Sequence, residues 1–140
     1  MNAVHHKIIG LLVFFILFLT KLLPDSMLLF MNSFARIILS LFLVSLFTGG
    51  RITNKNWFSF GLSPDNDYHK KMKRTWFFHS PLLPLIAVLL FSHPLVLISS
   101  FGYALHVFLD LFNNRSWKGS KNTYFAVFFS TILFFVVLYK

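Results

Sequence analysis

Residues 95–112 read LVLISSFGYALHVFLDLF, an apolar run that contains one histidine and one aspartate. The run has nearly the length of about 20 residues that a helix needs to cross a bilayer. His106 and Asp110 lie four residues apart, so a helix places both side chains on one face. Ionisable groups in an apolar helix are costly and usually face a protein interior or a wet cavity. The run therefore predicts a membrane helix that carries a polar site.

Four more apolar runs predict helices at residues 7–23, 27–48, 81–91 and 124–139. Pro24, Gly49-Gly50 and Ser92-His93-Pro94 mark boundaries between these runs. The run at 81–91 reaches only about 17 Å of a hydrocarbon core that is about 30 Å thick, so we expect it to be short or half-spanning. The sequence thus predicts an all-α, polytopic transmembrane bundle of four to five helices. We expect one membrane-embedded domain, residues 1–140, with a cytoplasmic loop at about residues 50–78.

The composition agrees with a membrane protein. Hydrophobic residues make up 56% of the 140 residues and charged residues only 12%, about half the share in soluble domains. The absence of cysteine excludes disulfides and thiolate chemistry. The net charge of +9 comes from residues that flank apolar runs, which is typical of membrane topology signals rather than of nucleic-acid binding.

The positive-inside rule predicts the orientation. Ten of the thirteen lysine and arginine residues are Lys7 or lie in the segments 51–78 and 113–122. Cytoplasmic loops carry the excess of basic residues, so we expect a multi-pass protein of the cell inner membrane with a cytoplasmic N-terminus. The first apolar run lacks a small-residue cleavage site after it, and we expect it to remain as a helix.

Histidines and aspartates that suit a metal ion fall on one side of this topology: His6, Asp65, Asp67, His79, His106 and Asp110. Asp25 and His93 fall on the other side and are not included. Each signal has a simpler interpretation. His106 and Asp110 could form a structural hydrogen bond, Asp65 and Asp67 an ordinary polar turn, His79 an interfacial residue, and His6 a polar N-terminus. Their convergence in one leaflet favours a metal site.

The motifs resemble those of the YdjM-type family of bacterial inner-membrane proteins, described as metal-dependent hydrolases. They are His6, Pro64-Asp65-Asn66-Asp67, the stretch from Lys73-Arg74 to His79-Ser80, and the stretch Gly102-Tyr103-Ala104-Leu105-His106-Val107-Phe108-Leu109-Asp110. Their order matches over roughly residues 6–112. Lys73 stands where the family pattern has a histidine. The resemblance implies metal binding at the cytoplasmic membrane face.

These observations predict a membrane-bound, metal-dependent hydrolase that acts on a phosphoester or phospholipid-like substrate. Mixed imidazole and carboxylate ligands suit one or two divalent ions, Zn²⁺ or Mn²⁺. Asp67 and His79 are the candidates for acid–base chemistry, and Arg74 for binding an anionic lipid or phosphate. The alternative is a non-enzymatic membrane protein whose His/Asp site holds a structural metal and which acts in interaction or assembly.

Overall fold

The structure, a computed structural model, describes residues 3–49, 61–62, 80–112 and 121–140. This part of the chain forms six helices and no strand. The helices are α1 (Ala3–Leu19), α2 (Asp25–Phe30), α3 (Phe34–Thr48), α4 (Leu82–Leu90), α5 (Pro94–Leu111) and α6 (Lys121–Leu138). The all-α prediction is confirmed. The predicted number of four to five helices is wrong, because the predicted helix at 27–48 is two helices.

The break between α2 and α3 follows from Asn32 and Ser33. Their side chains compete for backbone hydrogen bonds, so they favour helix ends over helix interiors. Ser33 is extended, with φ −136° and ψ 154°, and precedes the first residue of α3. The Asn32 side-chain oxygen accepts a hydrogen bond from Arg36 Nη1 at 3.2 Å. The apolar residues on both sides of the break concealed it in the sequence.

The first helix begins and ends about four residues earlier than the predicted bounds of 7–23. Leu22 N donates to Leu17 O at 2.9 Å and Lys21 N donates to Phe18 O at 3.1 Å. This pair of bonds is a Schellman motif, which closes a helix through a residue in the left-handed region. Lys21 occupies that position with φ 56°, where glycine is the usual residue. The cap therefore stops α1 before Pro24 can.

The other three helices lie within a few residues of their predictions. α4 has nine residues and is short, as residues 81–91 predicted. Pro94 opens α5, and the His93 ring nitrogen Nδ1 accepts a hydrogen bond from Leu95 N at 3.3 Å. α3 ends at Thr48 before Gly49, in agreement with the Gly49-Gly50 boundary. Most of the predicted loop at 50–78 lies outside the described residues.

α5 is the central helix and contacts each of the other five. Its Phe101 ring packs edge-on against Phe14 of α1 at 5.6 Å and against Phe135 of α6 at 5.9 Å between centroids. Residues Val107 and Leu111 pack against Val127 near the start of α6. Since the late residues of α5 meet the early residues of α6, the two helices run antiparallel.

Small residues allow α1, α3 and α5 to approach closely. A Cβ on Gly102 of α5 would lie 3.1 Å from the Val44 Cα and carbonyl oxygen of α3. A methyl group at Gly10 of α1 would overlap the Thr48 side chain. Contacts pair Val44 with Gly102 and Thr48 with His106, so α3 and α5 run parallel and both end at the same end of the bundle. This is the end at which α1 begins.

The outer surface of the described helices is strongly apolar. Large apolar side chains of every described helix except α5 are exposed, including Leu29 at 73%, Phe34 at 78% and Leu90 at 69%. Polar side chains such as Ser40, Thr48 and Thr131 are buried instead. Among the described helices, Pro94–Leu111 has the length and apolar composition of a membrane crossing, and Val4–Leu19, Phe34–Thr48 and Tyr124–Leu138 are apolar but shorter.

Candidate metal centre

Three of the predicted ligands meet at one end of the bundle. His6 Nε2 lies 3.4 Å from Asp110 Oδ1, and His106 Nε2 lies 3.4 Å from Asp110 Oδ2. The two rings have centroids 4.5 Å apart. All three side chains are buried, with exposures of 1% or less. We call His6, His106 and Asp110 the triad.

Helix geometry explains how the triad forms. His106 and Asp110 share the face of α5 that also carries Gly102, because residues four apart lie one above the other. His6 lies in the first turn of α1, not before the helix as its sequence position predicted. α1 begins beside the end of α5, so the first turn of α1 faces the last turns of α5. Gly10, one turn further along α1, lets the helix approach α3 at this level.

A backbone carbonyl orients the His106 ring. Nδ1 of His106 lies 2.5 Å from the carbonyl oxygen of Thr48, the last residue of α3. A carbonyl only accepts hydrogen bonds, so Nδ1 carries the proton and Nε2 carries the ring's lone pair. Metal-binding histidines are held in the same way, with one nitrogen donating to a carbonyl or carboxylate and the other directed at the metal.

The lone pair of His106 Nε2 therefore faces a carboxylate oxygen of Asp110 at 3.4 Å. Two Lewis bases at this distance repel each other unless a positive charge lies between them. The site is buried, so solvent screens the repulsion weakly. Either a proton on Nε2 or a metal ion resolves the conflict. The site favours binding of a cation.

The distances within the triad suit a metal ion. One ligand atom from each residue can be chosen so that all lie within 4.8 Å of one another. Two ligands of a tetrahedral zinc ion, each about 2.0–2.1 Å from the metal, lie about 3.3 Å apart. Both nitrogen-to-oxygen distances in the triad are 3.4 Å. The triad could thus hold a metal ion.

The two imidazoles also contact each other directly. The Nδ1 atoms of His6 and His106 lie 3.1 Å apart. Because the His106 proton is directed at Thr48, His6 Nδ1 can only share that proton as an acceptor, which leaves the His6 proton on Nε2, facing Asp110 Oδ1. Without a metal, the Nε2 atom of each imidazole faces one carboxylate oxygen of Asp110 at 3.4 Å. A metal bound through Nε2 of His6 would replace the proton on that nitrogen.

The other predicted site residues lie outside the described residues: Asp65, Asp67, Arg74 and His79. Their assignments remain predictions. Leu62 lies close in sequence to Asp65, and its backbone nitrogen donates to Leu46 O near the end of α3 at 2.7 Å. Asp25 begins α2 and His93 precedes α5, so neither is at the triad's end of the bundle, as the topology predicted.

The sequence did not reveal two contributors to the site. Thr48 acts through its main-chain oxygen, which any residue type possesses. In the sequence, only the predicted helix end at Gly49-Gly50 indicated that Thr48 is the last residue of a helix. Gly10 acts through the absence of a side chain. Lys7, whose charge was used to predict the topology, follows His6 in the sequence. Its side chain is buried, with only 8% exposure.

Comparison of the chain with protein-family models, with curated proteins and with solved structures gives no significant match. The resemblance to YdjM-type proteins therefore rests on the motifs in the sequence alone.

Proposed function

We propose that this chain is a membrane-embedded, metal-dependent hydrolase whose metal is held by the triad. The observation that carries the proposal is the pairing of His106 Nε2 with Asp110 in a buried site while Thr48 fixes the His106 ring. A ring held by its second nitrogen before a metal arrives is typical of a preorganised metal ligand. The predicted YdjM-type resemblance supports the same function.

The apolar exterior supports a place in the membrane. Soluble monomers rarely expose contiguous apolar patches beyond a few hundred Å². Here large apolar side chains point outward from five of the six described helices, all except α5, while hydroxyl groups such as those of Ser40 and Thr131 are buried. Small and hydroxylated residues at helix contacts are typical of membrane bundles. We assign the triad's end of the bundle to the cytoplasmic face of the inner membrane, because the basic segments 51–78 and 113–122 follow α3 and α5 there.

The chemistry of the donors favours Zn²⁺ or Mn²⁺. Two imidazoles and one carboxylate suit borderline divalent ions better than Ca²⁺ or Mg²⁺. A divalent ion in such a site lowers the pKa of a bound water to about 7 and polarises a phosphoryl or acyl oxygen. The chain contains no glutamate, so an aspartate or a histidine must move the proton. We assign that step to Asp67 or His79, and substrate phosphate binding to Arg74.

Metal analysis of detergent-purified protein tests the site. We expect wild-type protein to hold about one ion per triad, and His106→Ala and Asp110→Ala to lose it, since each removes a ligand. The chain offers close controls: His5 is exposed beside His6, and Asp25 is exposed at the other end. His5→Ala and Asp25→Asn should keep wild-type metal content. Equal metal content in all five proteins would remove the ligand assignment.

Hydrolysis assays test the activity itself. Metal-free protein is supplied with Zn²⁺ or Mn²⁺ and offered a soluble phosphodiester, bis(p-nitrophenyl) phosphate, and a soluble carboxylic ester. We expect metal-dependent turnover of the phosphodiester by wild type and by His5→Ala, and none by Asp110→Ala. Metal binding without turnover of either substrate or of phospholipid would reject the hydrolase.

The complete burial of the triad favours a second candidate, a structural metal site in a non-enzymatic interaction or assembly protein. Catalytic metals keep a position open to water or substrate, whereas structural sites are closed. The two candidate functions differ in how readily the bound metal ion exchanges with free metal ions. A structural ion leaves slowly and its removal unfolds the protein, whereas a catalytic ion exchanges with added Zn²⁺ or Mn²⁺ in the folded protein. Exchange measured with an isotope of zinc separates them.

The proposed orientation has its own test. The chain has no cysteine, so single cysteines can be introduced without removing native ones. We expect Asn54→Cys and Ser116→Cys to react with membrane-impermeant maleimide only after the cells are opened, and Ser92→Cys to react in intact cells. Labelling of position 54 or 116 from outside would reverse the topology.

A further inference from the structure

An open cavity with a volume of about 760 Å³ lies at the end of the bundle opposite the triad, between the end of α1, the helix α2 and the turn before α3. Sites for small molecules have volumes of about 300–1,000 Å³. Apolar side chains of α1 and α2, among them Phe18 and Leu29, form its walls. Lys21, Asp25 and Asn32 also line it. We call it the Lys21 cavity.

The Lys21 cavity carries charges of both signs. Lys21 and Asp25 are exposed, and within the described part of the chain neither side chain takes part in an ion pair. A second cation lies beside the cavity, because Arg36 Nη1 donates to the side-chain oxygen of Asn32 at 3.2 Å. The cavity can therefore offer an ammonium, a guanidinium and a carboxylate to one ligand.

Charges are scarce at this end of the bundle. Apart from the ten basic residues assigned to the triad's side, the chain has three: Lys21, Arg36 and Lys140. Two of these three border the cavity. Asp25 also borders it, and the other three acidic residues of the chain belong to the triad or to the segment 51–78. Most of the charge at this end is thus concentrated around one cavity.

The backbone of Lys21 gives an independent argument for a ligand. Its φ of 56° lies in the left-handed region, which glycine adopts without the penalty that a side chain incurs. A lysine is therefore less favourable for stability here than a glycine. Strained residues that persist in a fold are often found at functional sites. The strain favours a use for the Lys21 ammonium.

We propose that the Lys21 cavity binds the headgroup of a zwitterionic aminophospholipid such as phosphatidylethanolamine. The phosphate contacts Lys21 and Arg36, and the ammonium contacts Asp25. Arginine binds phosphate through charge-assisted hydrogen bonds, and a primary ammonium donates to a carboxylate. The proposal rests on the proposed membrane location and is independent of the metal chemistry.

The surface around the cavity favours a lipid over a soluble molecule with the same headgroup. Leu19 and Leu29 line the cavity and are 62% and 73% exposed. In a bilayer these side chains face hydrocarbon, so acyl chains attached to the bound headgroup can lie against them. A soluble headgroup would leave this apolar surface uncovered.

Lipid selectivity tests the headgroup. Binding to detergent-purified protein is measured by native mass spectrometry with phosphatidylethanolamine, phosphatidylcholine and phosphatidylglycerol that have identical acyl chains. We expect phosphatidylethanolamine to bind about fivefold more tightly than the other two. Phosphatidylcholine has no N–H group for Asp25, and phosphatidylglycerol has no cation. Equal binding of all three lipids would overturn the proposal.

Charge removal at the cavity provides matched variants. We expect Asp25→Asn to lose the preference for phosphatidylethanolamine, and Arg36→Gln to weaken binding of all three lipids. Lys140→Gln removes a basic residue that does not line the cavity and should bind as wild type. A loss in Lys140→Gln equal to that in Arg36→Gln would show general attraction to charge and reject the site.

Lys21→Gly separates a ligand role from a structural role. Glycine relieves the strain at φ 56°, so the thermal midpoint should stay at or above the wild-type value. The same variant should bind phosphatidylethanolamine about fivefold more weakly, because the ammonium is lost. Wild-type lipid binding by Lys21→Gly would reject the phosphate contact.

These outcomes are separable from the test of the hydrolase. Asp110→Asn, which lacks a triad ligand, should keep the lipid preference. The preference without metal-dependent hydrolysis would retain the lipid site and reject the hydrolase, and hydrolysis without the preference would do the reverse. Soluble glycerophosphoethanolamine that displaced the lipid at equal concentration would reject the lipid as the ligand.

Discussion

Helices α5 and α6 have the same length, 18 residues, and nearly the same apolar character, yet they occupy different places in the bundle. α5 buries eleven residues and contacts every other helix. α6 buries one narrow stripe, Val127, Thr131, Phe134 and Leu138, and exposes large side chains on the rest of its surface. Hydropathy alone therefore does not decide which apolar helix becomes the centre.

Small and polar residues account for the difference. Gly102 lets α5 approach the backbone of α3, and His106 bonds across to Thr48. The buried hydroxyl of α6, on Thr131, donates to Val127 O of its own helix at 2.7 Å. Cross-helix contacts require a fixed neighbour, whereas a bond within the helix requires none. We infer that the position of α5 is determined by specific contacts with other helices, and the position of α6 mainly by the apolar environment around it.

Metal removal should give the largest contrast between the two helices. A bound ion present at 100 times its dissociation constant stabilises the protein by about 2.7 kcal/mol. Chelation with EDTA should therefore lower the thermal midpoint and speed amide exchange in the last two turns of α5, with less effect on α6 residues 127–134. Hydrogen exchange in detergent measures both helices in one sample. Asp110→Asn protein, which lacks a ligand, should not respond to EDTA.

Enlarging a glycine should give the next largest effect. Gly102→Leu forces α5 away from Val44, and overpacking of this kind costs about 1–3 kcal/mol. Ala126→Leu adds a side chain to the exposed face of α6 and should change stability by about 0.5 kcal/mol or less. Unfolding in mixed micelles compares the two variants. Equal stabilities would show that the close approach of α3 and α5 does not hold the bundle together.

The predicted loop residues test whether the helices supply the whole site. If Asp65, Asp67 and His79 assist the triad, then Asp65→Asn, Asp67→Asn and His79→Ala should each lower metal affinity or activity by about 10–100-fold. Asn66→Ala, between the two aspartates, serves as the control. Wild-type affinity and activity in all three variants would confine the centre to α1 and α5.

The smallest effect is expected at Thr131. Replacing it with valine removes a bond to a carbonyl that also belongs to the helical ladder, and even hydrogen bonds between helices average only about 0.6 kcal/mol in membrane bundles. The unfolding midpoint of Thr131→Val should stay close to wild type. A loss as large as that of Gly102→Leu would contradict the view that α6 is held mainly by its surroundings.

Much of this architecture follows from local sequence signals. Apolar runs and Pro or Gly boundaries located five of the six described helices, and the four-residue spacing of His106 and Asp110 placed both on one face. The break at Asn32-Ser33 was missed because Met31 and Phe34 continue the apolar run around it. The start of α1 was misplaced because His5, His6 and Lys7 are polar, although they lie within the helix.

Local sequence signals of this kind do not predict which helices contact each other. Topology predicted that His6 and Asp110 share one end of the bundle, but not that α1 and α5 touch there. At the same level Gly10 of α1 fits against Thr48 of α3, a relation between residues far apart in the chain. The orientation of His106 depends on a main-chain atom, for which no side-chain pattern exists.

Because the His106 restraint is a main-chain oxygen, the register of α3 determines the chemistry of a ring on another helix. No substitution at position 48 deletes that oxygen, because every residue type, proline included, carries a main-chain carbonyl. Inserting or deleting one residue in α3 would instead turn its final turn by about 100° and shift it by about 1.5 Å, carrying the oxygen away from the ring. The length of α3 is thus a constraint on the tautomer of His106, and natural variation in that helix should be limited to changes of residue type.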